Sequence, residues 1–204
     1  MDGYVQVSLG DMIEQIGEGR VKSILSSFSC PMNPDIEYFL KHRAIEFAKQ
    51  SMTPTHLIFS SYKDKLELIG YFSLTIKTFR VYKDRISRAL CDKIKKFGVF
   101  DADQRVYMIP APLIAQLGKN FSKGLDKLIS GDELLQMAID KIAMIQQSIG
   151  GKVVYVECED KPKLLDFYRR NGFVRFGERR LDLDEKSRMY GTELIQLLKV
   201  VKRK

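Results

Sequence analysis

Val106-Tyr107-Met108-Ile109-Pro110-Ala111-Pro112-Leu113-Ile114-Ala115-Gln116-Leu117 is the stretch on which the fold turns. It is apolar with little alternation, the pattern of a strand covered on both faces. Pro110 and Pro112 each lack a ladder N–H, so the strand is expected to bend there. After a polar, Lys-rich segment, Ser130 and Glu133 form an S-x-x-E capping box that opens a helix. Leu134, Leu135, Ala138, Ile139, Ile142 and Ile145 supply its inward stripe. Gly150-Gly151 ends it, and Val153-Val154-Tyr155-Val156 is a second buried strand. A strand, a crossover helix and a strand make a parallel pair, here at the centre of the sheet.

The remaining elements build outward from that pair. Upstream, Asn33-Pro34 can cap and start a helix, with Ile36, Phe39, Leu40, Ala44, Phe47 and Ala48 on one face until about Ser51. Leu57-Ile58-Phe59 and Leu66 through Ile76, separated by the polar Ser60–Lys65, form an antiparallel hairpin. Lys83–Phe97 is expected to be a helix ending at Gly98, with Ile86, Leu90, Ile94 and Phe97 inward and Arg85, Arg88, Lys93, Lys95 and Lys96 outward. Downstream, a helix runs from about Lys161 to Asn171, with Pro162 near its start and Gly172 at its end. A strand then begins at Phe173, and Glu193–Val200 fits a strand or a short helix, the strand paired with its predecessor being favoured. The first thirty residues give no decisive pattern. The result is an α/β fold with a mixed sheet.

Composition narrows the class. The chain has 204 residues, 45% hydrophobic and 29% charged, which suits one soluble domain with a real core. No apolar run approaches the length of a membrane span, and no basic-then-apolar leader is visible. Lys and Arg exceed Asp and Glu by 34 to 26, a net charge of +8 that favours an anionic partner. Cys30, Cys91 and Cys158 are dispersed and His42 and His56 are the only histidines, so no zinc site is expected and a reducing cytoplasm fits.

Two segments could carry chemistry. The first is Leu117-Gly118-Lys119-Asn120 through Lys127-Leu128-Ile129-Ser130-Gly131-Asp132-Glu133. A strand, a loop and a capped helix can hold phosphate on unpaired amides and the positive end of the helix dipole. Gly131 would allow close approach, and Lys119, Lys123 and Lys127 add charge, whereas Asp132 and Glu133 are repulsive or simply stabilise the helix start. Both readings stand, anion site or structural cap. The second segment is Glu157-Cys158-Glu159-Asp160 followed by Phe167-Tyr168-Arg169-Arg170-Asn171-Gly172-Phe173. The Tyr168 hydroxyl either donates a proton to a departing thiolate or is a hydrogen-bonded core phenol. Glu157 and Glu159 are candidate bases through water or structural carboxylates, and Cys158 reads as a buried strand residue.

Taken together, Leu113–Lys119 as a fourth strand, Gly131-x-x-Leu134-Leu135 as a cofactor helix and the F-Y-x-x-x-G-F ending resemble the GCN5-related N-acetyltransferase (GNAT) family from about Phe28 onward. Phe28-Ser29-Cys30 with Tyr38-Phe39-Leu40, and Gly70-Tyr71-Phe72, look like its toxin-type branch, which acetylates aminoacyl-tRNA. The family's Q/R-x-x-G-x-G/A pattern falls on Asp126, Ile129 and Gly131, so two of three positions depart.

The resemblance implies a mostly antiparallel sheet with a splayed central parallel pair and flanking helices. It implies one acetyltransferase domain over 1–204, with a helical insertion at about 83–98. Acetyl-CoA would lie with its arm along Leu117, Gly118 and Lys119, its pyrophosphate on backbone amides from Ile129, Ser130, Gly131 and Asp132 with Lys127 nearby, and Phe167 against the pantetheine. Tyr168 would be the general acid, and no metal is implied. A primary amine, with that of aminoacyl-tRNA as one candidate, would attack the thioester directly. The alternatives are a protein or small-molecule amine acceptor, or a non-enzymatic RNA- or protein-binding module. Arg85, Arg88, Lys93, Lys95, Lys96, Arg179, Arg180 and the Lys199–Lys204 tail would line an RNA backbone or be solvated. A cytoplasmic protein without membrane contact is implied, with room for a homodimer.

Overall fold

A computed structural model describes residues 3–183, 186 and 191–201. Met1 and Asp2 of the N-terminal reading and Lys202–Lys204 of the basic tail lie outside them. The undecided N-terminus forms β1 (Tyr4–Ser8), α1 (Leu9–Ile16) and α2 (Glu18–Ser26). The Ser8 hydroxyl caps α1 by accepting the Asp11 amide. Next come α3 (Pro34–His42) and α4 (Ala44–Lys49), where the periodicity predicts one helix. Asn33 caps α3 as expected, its side chain accepting from the Asp35 and Ile36 amides. The helix breaks at Arg43 (φ −121°), with no Pro or Gly there to announce it. Leu40 and Ala44 are both fully buried on either side of the break, so packing has overridden the local pattern.

The hairpin is β2 (Thr55–Tyr62) and β3 (Lys65–Tyr82), turning at Lys63 and Asp64, which both have positive φ. β1 pairs antiparallel with β2, Tyr4 opposite Ser60 and Ser8 opposite His56. The helix expected over 83–97 is shorter. Two 3₁₀ turns, Lys83–Arg85 and Lys95–Phe97, flank α5 (Arg88–Ile94), which Ser87 restarts by capping the Leu90 amide. β4 (Val99–Asp101) then pairs with the start of β5 (Val106–Lys119). That pairing ends at Met108, and the parallel register with β6 (Val153–Glu159) begins at Leu113 opposite Tyr155 and Ile114 opposite Val156. Pro110 and Pro112 therefore stand between the β4 register and the β6 register of β5.

α6 (Gly131–Ile149), α7 (Pro162–Arg170), β7 (Val174–Arg180) and β8 (Glu193–Val200) complete the chain. Among the described residues the sheet order is β1-β2-β3-β5-β6-β8-β7, antiparallel at β1–β2, β2–β3, β6–β8 and β8–β7. One expected core residue moves. Ile145 is 40% exposed, and Gln146, four residues after Ile142, takes the inward place and donates to the Val153 carbonyl at 2.9 Å.

The chain divides into two compact units. One takes the chain up to Thr75 and Ala115–Ala138. Its core joins Leu9, Val21, Leu25, Phe28, Phe39, Leu40, Leu57 and Tyr71. The other takes Ile76–Ile114 and the chain from Ile139. Its centre includes Phe79, whose ring lies 4.6 Å from Tyr155 and 4.7 Å from Phe176. Among the described residues no helix is long and apolar enough to cross a membrane.

Candidate active site

In the first unit, the end of β5 is fixed by close packing. A Cβ built on Gly118 would stand 2.3 Å from Ile36 Cγ2, so only a glycine lets the strand pass beneath the first turn of α3. Beyond it, the Asn120 side chain organises the turn. Its Nδ2 donates to Leu68 O at 2.8 Å, and its Oδ1 accepts the amides of Ser29 and Ser122, both at 3.0 Å. Asn120 is fully buried, and all three bonds are to backbone. Sequence reading gave it no role, although an Asn closing a strand is a turn signal.

The loop then closes on Lys119. Its Nζ donates to Asp126 O at 2.8 Å and Ile129 O at 3.2 Å, so this charge stabilises the loop from within. Ile129 itself is buried, while Lys123 and Lys127 are exposed. The capping box is complete in both directions. Glu133 N donates to Ser130 Oγ at 3.1 Å, and Ser130 N donates to Glu133 Oε2 at 2.8 Å. Tyr4, which the sequence did not single out, donates to Glu133 Oε1 at 3.1 Å and to Leu128 O at 3.0 Å. The Ser130 amide and hydroxyl bonds hold the Glu133 carboxyl below its usual range.

This donor set fits a diphosphate at one point. The Ser130 amide is taken by a carboxylate, and Leu134 N donates to Ser130 O. Gly131, within the box but making neither of its two bonds, opens the helix at the positive end of the dipole, four residues from exposed Lys127. Asp132 is exposed at the same end.

In the second unit, α7 ends in a Schellman turn. Gly172 has φ 81° and donates to Arg169 O at 2.9 Å, and Phe173 N donates to Tyr168 O at 3.0 Å. The F-Y-x-x-x-G-F motif is thus a helix terminus that folds Phe173 back on Tyr168, with ring centroids 5.5 Å apart. Phe167 completes the cluster at 5.0 Å and carries the Arg170 guanidinium over its ring. The Tyr168 side chain is 7% exposed; its hydroxyl makes no hydrogen bond to the described residues and is not sealed from solvent, Gln116 Oε1 being the one fully buried unpartnered side-chain atom among them. Burial, then the neighbouring Cys158, raise its pKa well above that of an ordinary phenol.

The other candidates are placed as follows. Glu157 Oε2 accepts from Arg179 Nε at 2.6 Å and Oε1 from Gln196 Nε2 at 2.9 Å. Glu159 is buried and pairs with Lys161 at 2.7 Å. Cys158 is buried, and burial pushes its thiol up to about 12, so it is not a nucleophile at neutral pH. Arg85, Arg88, Lys93, Lys95, Lys96 and Arg180 are exposed. Lys199 is half-buried and donates to Asn171 O at 2.8 Å, behind the α7 terminus. Among the described residues no group of His, Cys, Asp and Glu could hold a metal.

A mostly antiparallel sheet of this order, with a parallel pair at β5–β6 joined through α6, is the fold of the GCN5-related N-acetyltransferases. The solved structures the chain is similar to include the AtaT toxin. The chain matches a tyrosine-to-phenylalanine mutant of KacT at TM-score 0.62 and 16% identity, covering 96% of this chain and 95% of that one. It matches AtaT complexed with acetyl-methionyl-tRNAfMet at 0.60 and 16%, covering 94% and 93%. It matches a tyrosine-to-phenylalanine mutant of AtaT, bound to the C-terminus of the antitoxin AtaR and acetyl-CoA, at 0.61 and 14%, covering 98% and 94%. No protein-family model and no curated protein matches the sequence.

Proposed function

We propose that residues 1–204 form an N-acetyltransferase domain that moves an acetyl group from acetyl-CoA to a primary amine by direct attack, the acceptor being the amino group of aminoacyl-tRNA. The observation that carries this reading is Tyr168, a buried, protonated phenol without an internal acceptor, on a fold whose neighbours include complexes with acetyl-CoA and with acetyl-methionyl-tRNA.

When bound, acetyl-CoA supplies a thioester whose leaving thiolate has a conjugate-acid pKa of about 8.5. The backbone of Leu117, Gly118 and Lys119 would run along its arm, Gly131 N–H and Lys127 would meet the diphosphate, and Phe167 would pack on the pantetheine. Ile129, Ser130 and Asp132 belong to this segment through their backbone, Ile129 by accepting Lys119. Tyr168 holds the proton that the thiolate needs. A phenol at about 10 or higher gives up its proton uphill to a thiolate by about 2 kcal/mol or more, so Tyr168 acts first as a hydrogen-bond donor to the developing charge. An α-amine, near 7.7–8.0, is substantially neutral at physiological pH and needs no strong base. The net basic charge suits an RNA-borne acceptor in the cytoplasm.

The test is calorimetry with acetyl-CoA followed by a transfer screen on charged tRNA, peptides and polyamines. Binding and a mass gain of one acetyl group on charged tRNA are expected. A second reading, a non-enzymatic RNA- or protein-binding module, is favoured by the Glu133 carboxylate bound at the α6 cap and by exposed Asp132. It predicts no acetyl-CoA binding, together with RNA affinity that falls steeply with salt.

A further inference from the structure

The second unit contains a cavity of about 360 Å³ that the acetyl-donor reading does not use. Its floor is a row across three adjacent strands. Glu157 on β6 stands opposite Gln196 on β8, which stands opposite Gly177 on β7. Tyr155 and Phe79 line it from below, both buried. Exposed Lys77, Arg80 and Arg85 form one rim, Arg85 lying over the Tyr82 ring at 5.1 Å. Two further carboxylates border it. Glu178 pairs with Arg175 at 2.8 Å, and Asp182 lies 3.7 Å from Arg179.

Glu157 is the unusual member. Its carboxylate is held from two sides, by Arg179 Nε and by Gln196 Nε2, and each oxygen accepts one hydrogen bond where it can accept two. The remaining lone pairs suit a ligand that brings N–H donors. Gly177 keeps the space beside them open, since a Cβ there would stand 3.1 Å from Gln196 Oε1. Side chains alternate along a strand, so Glu157 and Cys158 project to opposite faces of β6. Tyr168 neighbours Cys158 and therefore lies on the face away from the cavity.

We infer that this cavity reads the acceptor's amino group: Glu157, positioned by Arg179 and Gln196, receives its N–H donors, while Lys77, Arg80 and Arg85 meet the phosphates of the RNA that bears it. The assignment rests on the aminoacyl-tRNA reading above and deepens it. It makes Glu157 the residue that distinguishes a charged tRNA from an uncharged one. It also places nucleophile and acid on opposite faces of β6, so that the amine enters from one side while the thiolate is protonated from the other.

Equilibrium binding tests this without requiring turnover. The probes are one tRNA carrying its amino acid through a stable amide link in place of the ester, and the same tRNA uncharged. The wild-type chain is expected to bind the charged form about tenfold more tightly, the scale of one charge-assisted hydrogen bond. Glu157→Gln is expected to bind both forms alike while acetyl-CoA affinity, read by calorimetry on the same sample, stays at the wild-type value. Gly177→Ala, which leaves the ion pair intact, is expected to narrow the preference in the same direction. A preference that survives in Glu157→Gln, or a wild-type chain with none, overturns the inference. Failure of the acetyl-donor reading looks different, as absent acetyl-CoA binding in the wild-type chain.

Discussion

Replacing Asn120 by alanine tests how the end of β5 is held. The side chain makes three bonds to backbone from a fully buried position, to Leu68 O, Ser29 N and Ser122 N. Ser29 and Ser122 are half-buried, and water can replace their lost acceptor at a cost of about 1 kcal/mol each. Leu68 is 2% exposed, so its carbonyl loses its side-chain donor without an easy substitute, for about 1–3 kcal/mol. The sum is about 3–5 kcal/mol, a large part of the 5–15 kcal/mol typical of whole proteins. At about 2–4 °C per kcal/mol for a chain of this size, the melting temperature is expected to fall by roughly 6–20 °C. Thermal unfolding followed by circular dichroism measures it, and hydrogen exchange should quicken first at the amides of Ser29 and Ser122. A melting temperature within about 2 °C of the parent would refute the reasoning, because it would mean that water satisfies all three groups.

Two further outcomes follow from the first unit. Gly118→Ala drives a methyl to 2.3 Å from Ile36 Cγ2 and should cost about 1–3 kcal/mol in urea unfolding, a loss that Ile36→Ala in the same chain partly reverses; strictly additive effects would count against a direct clash. Glu37 is held below the usual carboxylate range, first by Lys41 and then by the Cys30 amide. With a depressed folded pKa, its contribution is complete above the ordinary value of about 4.3 and disappears as pH falls through the folded value. Urea unfolding between about pH 3 and pH 6 should therefore show a shallower acid loss of stability in Glu37→Gln than in the parent, and parallel curves would contradict the sign.

Much of the architecture is written in short-range patterns. The uninterrupted apolar run before Leu117, the Ser130–Glu133 box and the Gly172 turn each fix a local conformation, and those conformations place the parallel pair. What escaped depends on partners distant in sequence. β1 is stabilised by pairing with β2, distant in the sequence, and Tyr4 finds Glu133 across the first unit. The break at Arg43 and the inward turn of Gln146 follow from packing and from the Gln146 bond to the Val153 carbonyl, neither visible in a window of a dozen residues. The site divides in the same way. Tyr168 is legible because its motif is a local helix end. The diversion of Lys119 into its own loop and the pairing of Glu157 with Arg179 appear only once the chain is folded.

The account depends most on Tyr168 acting as the acid for a departing thiolate. Tyr168→Phe keeps the ring contacts with Phe167 and Phe173 and removes only the hydroxyl. Single-turnover acetyl transfer from pre-bound acetyl-CoA to charged tRNA should slow by about 10- to 150-fold, the scale of one hydrogen bond to a developing charge, with acetyl-CoA affinity changed less than threefold. Transfer at the parental rate would contradict the account and leave the buried phenol without a catalytic role.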